Sequence, residues 1–217
     1  MPLTRRHLLL AATLAPAASV ALAQPKAPVP GKDFREVSPP QPVESGARIE
    51  VLEFFQYGCP HCYTFTPIVE GWRKKRGAEI DYRRIHINWD GGTLNHTKLY
   101  YTLEQMNLVD KLHERVFFAI HREKRRLLDP KDIAEFMAAN GVDRAQWESN
   151  FASFSVNTRA SRAGQVWRAF RIEGTPAVGI DGRFVTAPSM AGTFDNAVTV
   201  MDALVARARS ERPPAKK

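Results

Sequence analysis

The chain has 217 residues, with 31 lysines and arginines against 23 aspartates and glutamates, which gives a formal net charge of +8. The basic runs Arg73–Arg76 and Arg122–Arg126 are typical of solvated helix surfaces and lack interleaved aromatic residues, so the charge does not indicate a nucleic-acid-binding protein. Only two cysteines are present, two residues apart, and a cross-link across so small a loop would add little stability. The composition therefore excludes a fold held together by several disulfides.

Residues 1–23 have the layout of a bacterial export signal. Arg5-Arg6 precedes the apolar run Leu8–Leu22, and the small residues Ala21-Leu22-Ala23 form a cleavage site. Residues Thr4–Leu9 also resemble a twin-arginine signal, so both the Sec and the twin-arginine export routes stay open. The apolar run is too short and too often interrupted for a membrane span, which needs about 20 apolar residues. We therefore expect an exported protein that begins after this segment.

The next two segments predict a lead-in and a strand–helix–strand unit. Residues 24–47 are rich in proline, which predicts an extended, poorly packed lead-in. Within residues 48–92, Arg48–Tyr57 is β-branched and aromatic, Thr64–Arg76 has apolar residues at helical spacing, and Glu79–Asn88 has apolar residues at alternate positions. Gly58 ends the first strand just before the cysteines. The pattern predicts a βαβ unit with the cysteines between its first strand and its helix.

Residues 93–170 predict helices. Two of them are Leu94–Met106 and Leu108–His121. Asp129-Pro130 is a typical N-cap followed by proline at the first helical position, Asn140-Gly141 ends that helix, and Asp143 can cap the next one. This block is long for a simple connection between two strands, so we expect an all-helical subdomain inserted into an α/β core.

Residues 171–209 complete the α/β core. Ala177–Ile180 and Arg183–Thr186 predict two strands, and Asp181-Gly182 between them is typical of a type I′ hairpin turn. Ala191–Arg209 predicts a closing amphipathic helix. Residues 210–217 predict a disordered basic tail.

The two cysteines stand in Cys59-Pro60-His61-Cys62, at the predicted start of a helix. Thiol–disulfide exchange needs one accessible cysteine of low pKa and a second one that resolves the mixed disulfide. The unpaired N–H groups and the dipole at a helix start stabilise a thiolate, so Cys59 and Cys62 are the candidate catalytic residues. Their disulfide would be the redox centre, and we expect no other cofactor.

Other uses of a cysteine pair fit this sequence less well. A zinc site needs four ligands, but no second Cys-x-x-Cys is present, and His86 and His96 lack zinc-finger spacing. Covalent haem attachment needs histidine directly after the second cysteine, where this chain has Tyr63. An inert structural disulfide is disfavoured by the placement at a helix start. We therefore predict no metal site.

Three residues are candidates for tuning the cysteines. His61 can stabilise a Cys59 thiolate by its charge or its N–H groups, and together with Pro60 it favours an oxidising disulfide. The alternative for His61 is an exposed histidine without a role. Glu53, in an otherwise apolar strand, could lie beneath the turn that carries the cysteines and relay a proton to Cys62. The alternative for Glu53 is a carboxylate that faces solvent at the end of its strand.

Gly174-Thr175-Pro176 precedes the third predicted strand. A proline in this position could be in the cis form and expose the preceding backbone to a substrate peptide, although most X–Pro bonds are trans. The sequence alone does not decide between the two forms.

Three motifs resemble, in type and order, those of the DsbA family of periplasmic thiol:disulfide interchange proteins, within the thioredoxin superfamily. They are Glu53-Phe54-Phe55, Cys59-Pro60-His61-Cys62-Tyr63 and Gly174-Thr175-Pro176-Ala177. The resemblance covers about Ile49–Val205, and the helical block lies where that family inserts its helical subdomain. Cys-Pro-His-Cys is specific to this branch, whereas reducing thioredoxins typically carry Cys-Gly-Pro-Cys. Gly58 departs from the bulkier residue often found before the first cysteine.

The resemblance implies an α/β thioredoxin-like fold with an inserted all-helical subdomain. It implies that Cys59 is the nucleophile, that Cys62 resolves the mixed disulfide, and that Glu53 is a buried acid. It also implies a cis peptide at Thr175-Pro176 that faces the cysteines. The expected partners in the periplasm are unfolded or reduced exported proteins and a DsbB-like inner-membrane quinone reductase. We expect a monomer, and the resemblance does not assign the residues of a peptide-binding groove.

Two other functions remain open. A disulfide isomerase or reductase would use the same cysteines, but the isomerases that resemble this fold carry a dimerisation domain before the active site, where this chain has only the short lead-in. A thioredoxin-fold peptide-binding chaperone would bind peptides even after both cysteines are alkylated. The leading prediction is a periplasmic oxidoreductase that introduces disulfide bonds into exported proteins through the Cys59–Cys62 pair.

Overall fold

One mixed sheet forms the centre of the computed structural model, which describes residues 27–89 and 91–212. In this part of the chain its strands are β1 Phe34–Glu36, β2 Ile49–Phe55, β3 Ile80–His86, β4 Ala177–Ile180 and β5 Phe184–Thr186. Their order across the sheet is β1-β5-β4-β2-β3; β2 and β3 are parallel, and all other neighbours are antiparallel. Every residue of β2 is buried, as expected of a central strand with both faces covered.

The helices of the described residues follow the order expected from the sequence. They are α1 Pro60–Arg76, α2 Leu94–Gln105, α3 Val109–His121, α4 Pro130–Ala139, α5 Arg144–Ala152, α6 Phe154–Ala169, α7 Pro188–Ala191 and α8 Phe194–Glu211. Helices α2 to α6 lie between β3 and β4 in the chain. This confirms the predicted thioredoxin-like α/β core with an inserted helical subdomain.

Two local predictions are confirmed by the backbone and its caps. The side chains of Asp129 and Asp143 accept hydrogen bonds from the first turns of α4 and α5, and Pro130 is the first residue of α4. Asp181 and Gly182, the first two of the three residues between β4 and β5, have φ angles of 56° and 66°, and a type I′ turn requires positive φ at both of its central positions.

The sheet is covered on both faces. Helices α1 and α8 lie over one face, where Phe65 and Met201 belong to the same buried hydrophobic cluster as Val51. On the other face Phe54 contacts Phe170, which follows α6, with ring centroids 5.2 Å apart. The carboxyl ends of the parallel strands β2 and β3 lie at the same end of the sheet, and the chain turns there into the cysteine pair.

The prediction of a poorly packed lead-in over residues 24–47 is wrong for its central part. Residues Phe34–Glu36 form β1, which pairs with β5, and Phe34 and Val37 are buried. The proline-rich composition hid this strand because it is only three residues long and takes its stability from the neighbouring hairpin. Ser38-Pro39 just after it is a cis peptide.

The boundaries at the carboxyl end also differ from the prediction. Gly192, with φ of 89°, separates the short α7 from α8, so the closing helix begins at Phe194 rather than Ala191. The helix continues to Glu211, and Arg212 donates through Nε to the Asp181 carboxylate at 3.0 Å. Residues 210–212 are therefore part of the packed structure and not of a disordered tail.

The second basic run, Arg122–Arg126, forms the connection after α3 and not the helix surface that its charges suggested. The predicted export signal, residues 1–23, and the end of the predicted tail, residues 213–217, lie outside the described residues. Within the described ranges, none of the helices combines the length and the apolar character that a bilayer span requires.

Candidate active site

Cys59 is the N-cap residue of α1. Its backbone is extended, with φ of −86° and ψ of 117°, and Pro60 follows at the first helical position. Its sulfur accepts a hydrogen bond from the backbone N–H of Cys62 at 3.4 Å, in the way that a serine or aspartate side chain caps other helices. The sulfur thus lies against unpaired N–H groups at the positive end of the helix dipole, which is where a thiolate is most stable.

A tight turn at the carboxyl end of β2 carries Cys59. The N–H of Cys59 donates to the carbonyl of Gln56 at 3.0 Å and closes a four-residue turn directly after β2. Gly58 in this turn is exposed, and a Cβ atom there would meet nothing within 4 Å. The departure from a bulkier residue at position 58 therefore leaves open space beside the nucleophile.

The two cysteines, both free thiols here, differ in exposure and in their preference for a proton. Cys59 is partly exposed, whereas Cys62 is fully buried. The hydrogen bond with the Cys62 thiol, with further ones from Thr175 and from the N–H groups of Cys62 and His61, lowers the pKa of Cys59 to about 5 against the opposing effect of burial. Burial and the neighbouring Cys59 raise the pKa of Cys62 far above the ordinary thiol value. One sulfur is therefore a thiolate at neutral pH and the other stays protonated.

The structure brings Thr175-Pro176 against the cysteines, although 116 residues separate Thr175 from Cys59. The Thr175-Pro176 bond is cis, as the family resemblance implied. The Cys59 sulfur lies 3.4 Å from the Thr175 carbonyl oxygen, to which it can donate only while it is protonated. Thr175 is half-buried and Pro176 buried, so this loop forms one wall beside the exposed side of Cys59.

His61 and Pro60 lie on the exposed surface of the first turn of α1. The backbone N–H of His61 is one of the groups that lower the pKa of Cys59. Pro60 has no N–H to leave unpaired at this helix start, and its fixed φ suits the first helical position.

Glu53 is buried, so the alternative of a solvent-facing carboxylate at a strand end is wrong. Its register partner on β3 is Arg84, which donates through Nε to the Glu53 carboxylate at 2.9 Å. The Tyr82 hydroxyl donates to the same oxygen, and Arg84 also binds Glu70. The other carboxylate oxygen of Glu53, Oε1, is buried and has no hydrogen-bond partner. The hydrogen bonds found for Glu53 lead to β3 and to neither cysteine.

A group of histidines, whose role was not predicted from the sequence, surrounds the turn that carries the cysteines. His86, on β3, and His121, on α3, both bond to the backbone of Tyr57, two residues before Cys59. His113 bonds to the Tyr57 hydroxyl. The available signal was the spacing of His113, Phe117 and His121 along α3, which places all three on one helix face. Across residues 27–89 and 91–212, no three histidine, cysteine or acidic side chains are grouped closely enough to bind a metal.

Comparisons with known proteins agree with this geometry. A family model described as a DSBA-like thioredoxin domain matches residues 50–198. The thiol:disulfide interchange protein DsbA of Burkholderia cepacia is 37% identical over 197 residues, which cover 90% of this chain and 93% of that protein. The protein of the same name from Bordetella parapertussis is 41% identical over 179 residues, 82% of this chain and 85% of that one. The crystal structure of Pseudomonas aeruginosa DsbA superposes with a TM-score of 0.79 at 32% identity, covering 84% of this chain and 95% of that chain.

Proposed function

This chain belongs to the DsbA family of thiol:disulfide interchange proteins, and we propose on that premise that its Cys59–Cys62 disulfide oxidises reduced exported proteins. It is a thiol:disulfide oxidoreductase. The observation that carries the assignment of roles is the unequal pair of sulfurs: Cys59 is accessible and has a pKa of about 5, whereas Cys62 is buried and keeps its proton.

The proposed reaction consists of two exchanges. A substrate thiolate attacks the Cys59 sulfur of the disulfide, the bond to Cys62 breaks, and the Cys62 sulfur takes up a proton. A second thiolate of the substrate then attacks the substrate sulfur of the mixed disulfide, and Cys59 leaves as a thiolate. The substrate loses two electrons and the pair gains them. Because Cys59 is stable as a thiolate, it is a good leaving group and its disulfide is a strong oxidant.

Glu53 has the proposed role of exchanging the proton of Cys62. Because its hydrogen bonds lead to Arg84 and Tyr82, a water molecule would have to carry the proton between the carboxylate and the sulfur. The unpaired oxygen Oε1 is the acceptor available for this step.

His61, Pro60 and the Thr175-Pro176 loop complete the proposed site. We assign to His61 and Pro60 the tuning of the Cys59 thiolate at the start of α1, since both belong to the first turn beside the sulfur. We assign to Thr175-Pro176 the wall against which a substrate peptide lies, since the Thr175 carbonyl oxygen is 3.4 Å from the Cys59 sulfur that the substrate attacks.

The proposed location is the periplasm. The protein would be exported by the Sec or the twin-arginine route, and the signal in residues 1–23 would then be cleaved off. Unfolded or reduced exported proteins would be the substrates, and a DsbB-like quinone reductase in the inner membrane would reoxidise the pair. The protein would work as a monomer, without a cofactor beyond its own disulfide and without nucleic acid. The assignment is supported by relatives named thiol:disulfide interchange protein DsbA that match most of the chain.

The test is oxidation of a reduced peptide that carries two cysteines. We expect the oxidised protein to form the peptide disulfide in one turnover and Cys59→Ser to form none. Cys62→Ser, with Cys59 first converted to a mixed disulfide with a small thiol that leaves easily, should exchange that thiol for the peptide and stop at the mixed disulfide. Unimpaired oxidation by Cys59→Ser would refute the mechanism.

Two further outcomes would point to the competing functions. A reduction potential near that of thioredoxin, about −270 mV, in equilibrium with glutathione would identify a reductase. Peptide binding that survives alkylation of both cysteines, without any oxidation, would identify a chaperone.

A further inference from the structure

Tyr57 is the buried second residue of the turn that presents Cys59. The turn is closed by the hydrogen bond from the Cys59 N–H to the Gln56 carbonyl, which leaves the N–H and the carbonyl of Tyr57 without a partner inside the turn. Tyr57 has no exposed surface, so both groups need partners from elsewhere in the fold. Histidines on two different elements supply them.

His86 accepts the hydrogen bond from the Tyr57 N–H. The distance from the Tyr57 nitrogen to His86 Nε2 is 3.2 Å, and because an N–H can only donate, Nε2 must carry no proton. The proton of the neutral ring is then on Nδ1, which lies 2.9 Å from the Thr97 hydroxyl on α2. The Thr97 hydroxyl in turn donates to the Thr93 carbonyl at 3.5 Å. The N–H of the turn is thereby tied through one histidine to the first helix of the inserted block.

His121 donates the hydrogen bond to the Tyr57 carbonyl. Its Nε2 lies 2.8 Å from the carbonyl oxygen, which can only accept. Its ring stacks on that of Tyr63, with centroids 5.0 Å apart and planes 7° apart. Tyr63 directly follows Cys62, so His121 contacts the chain on both sides of the cysteine pair. His113, about two turns before His121 on α3, forms a hydrogen bond of 2.9 Å with the Tyr57 hydroxyl.

We propose that His86 and His121 are positioning residues for the exchange reaction, which hold the turn Gln56–Cys59 so that the Cys59 sulfur stays against the Cys62 N–H. This inference rests on the proposed function. Neither histidine has a hydrogen bond to a sulfur, so each acts through Tyr57. The histidines would control the distance from the Cys59 sulfur to the Cys62 nitrogen, which is 3.4 Å. This distance matters because an N–H group stabilises a thiolate less as the distance grows.

Three variants separate positioning from simple packing. His121→Phe keeps the ring stacked on Tyr63 but leaves the Tyr57 carbonyl buried without a donor. His121→Gln restores an N–H donor at a similar reach. Thr97→Val, which is nearly isosteric, removes the partner of His86 Nδ1 without touching the turn. Met137→Ala serves as the control, because Met137 is fully buried in the inserted block and its truncation destabilises the fold without affecting these hydrogen bonds.

The measurement is the thiolate absorbance of the reduced proteins across pH, together with their reduction potentials against glutathione. We expect His121→Phe to raise the pKa of Cys59 by about 0.5 to 1, which is roughly a three- to tenfold weaker tendency to form the thiolate. We expect Thr97→Val to raise it in the same direction, and His121→Gln and Met137→Ala to leave it at the wild-type value. The potential should become less oxidising in the two variants that raise the pKa.

The outcomes distinguish this inference from the function on which it rests. If the wild-type pKa is low and both His121→Phe and Thr97→Val leave it unchanged while the free energy of unfolding falls, the histidines only stabilise the fold and the inference is overturned. An equal rise in Met137→Ala would overturn it as well. If the wild-type pKa is that of a free thiol, about 8.5, the proposed oxidising function fails, and with it the role of the histidines in that function.

Discussion

The backbone N–H of Cys62 donates to the Cys59 sulfur across 3.4 Å, so the two cysteines are coupled in the reduced protein before any covalent bond joins them. The coupling is asymmetric. Hydrogen bonds from Cys62 and its surroundings favour the Cys59 thiolate, while burial beside that thiolate favours a protonated Cys62. These interactions stabilise the reduced pair and do not stabilise the disulfide. The pair therefore favours the reduced state, which makes its disulfide oxidising.

The first prediction concerns the stability of the reduced form relative to the oxidised form. The pKa of Cys59 is about 5 in the folded protein and about 8.5 in an unfolded chain. Between these values the unfolded reduced chain binds a proton that the folded one does not, so the stabilisation is fully present above about pH 8.5 and is lost as the pH falls towards 5. Urea unfolding of both forms should therefore show the advantage of the reduced form growing from about pH 5 to pH 8.

The oxidised protein is the control for this measurement, because all other titrating groups are common to both forms. Cys62 contributes in the opposite direction only above the pKa of an unfolded thiol, outside the chosen range. A difference in unfolding free energy that stays constant from pH 5 to pH 8 would contradict the structure of the pair.

The second prediction concerns the buried ion pair between Glu53 and Arg84. Arg84→Met leaves the Glu53 carboxylate buried without its counter-ion, so we expect the free energy of unfolding to fall by about 3–5 kcal/mol. The double variant Glu53→Leu/Arg84→Met leaves no unpaired charge at this position and should recover much of that loss. Denaturant unfolding of the single and double variants measures both effects.

The largely solvated pair between Arg48, just before β2, and Asp81, on β3, offers a matched control. Arg48→Met should change the free energy of unfolding by at most about 1 kcal/mol, because that pair is solvated. If Arg84→Met were as mild as Arg48→Met, the buried Glu53 side chain would not depend on Arg84 as its counter-ion.

The local features of the fold could be predicted from neighbouring residues alone. The N-caps Asp129 and Asp143, the turn at Asp181-Gly182 and the helix start at the cysteines each depend on a few adjacent residues whose backbone preferences agree. The same holds for the identity of the reactive pair, since the spacing of Cys59 and Cys62 and their place between a strand and a helix are local properties.

The partners of the site residues could not be predicted in this way, because they come from distant parts of the chain. Arg84 reaches Glu53 only through the parallel register of β2 and β3. His86 and His121 meet at Tyr57 from a strand and from an inserted helix. An isolated sequence gives neither the register of a sheet nor the docking of a helix, and the cis form of Thr175-Pro176 was expected from family resemblance and not from its own residues.

The third prediction concerns acid. Burial lowers the pKa of both His86 and His113 well below the ordinary value; His96 faces His86, and Arg84 faces His113. Both histidines stay neutral in the folded protein while an unfolded histidine, with a pKa of about 6.5, takes up a proton. Their contribution to stability is therefore present above pH 6.5 and is lost as the pH falls below it. Unfolding of the oxidised protein should show this loss between about pH 6.5 and pH 5.

His86→Gln tests the origin of that loss. Glutamine can accept from the Tyr57 N–H and donate to Thr97 in place of the histidine ring, but it does not titrate. We expect the variant to fold and to lose less stability than the wild type between pH 6.5 and pH 5. An unchanged pH dependence in this variant would show that His86 is not a source of the acid sensitivity.

The fourth prediction tests whether the proline-rich lead-in is packed against the β4–β5 hairpin. Gly182 has a φ of 66°, and a Cβ atom there would lie 2.1 Å from the carbonyl oxygen of Gln41, whose own N–H donates to the Gly182 carbonyl at 2.8 Å. Gly182→Ala should therefore lower the free energy of unfolding by about 2–5 kcal/mol, from backbone strain and from the clash. Gly71→Ala is the control: it lies in α1 with nothing within 4 Å of the added Cβ and should stabilise by about 0.5–1 kcal/mol. Equal stability of Gly182→Ala and the wild type, measured by urea unfolding, would mean that the lead-in does not lie on the hairpin.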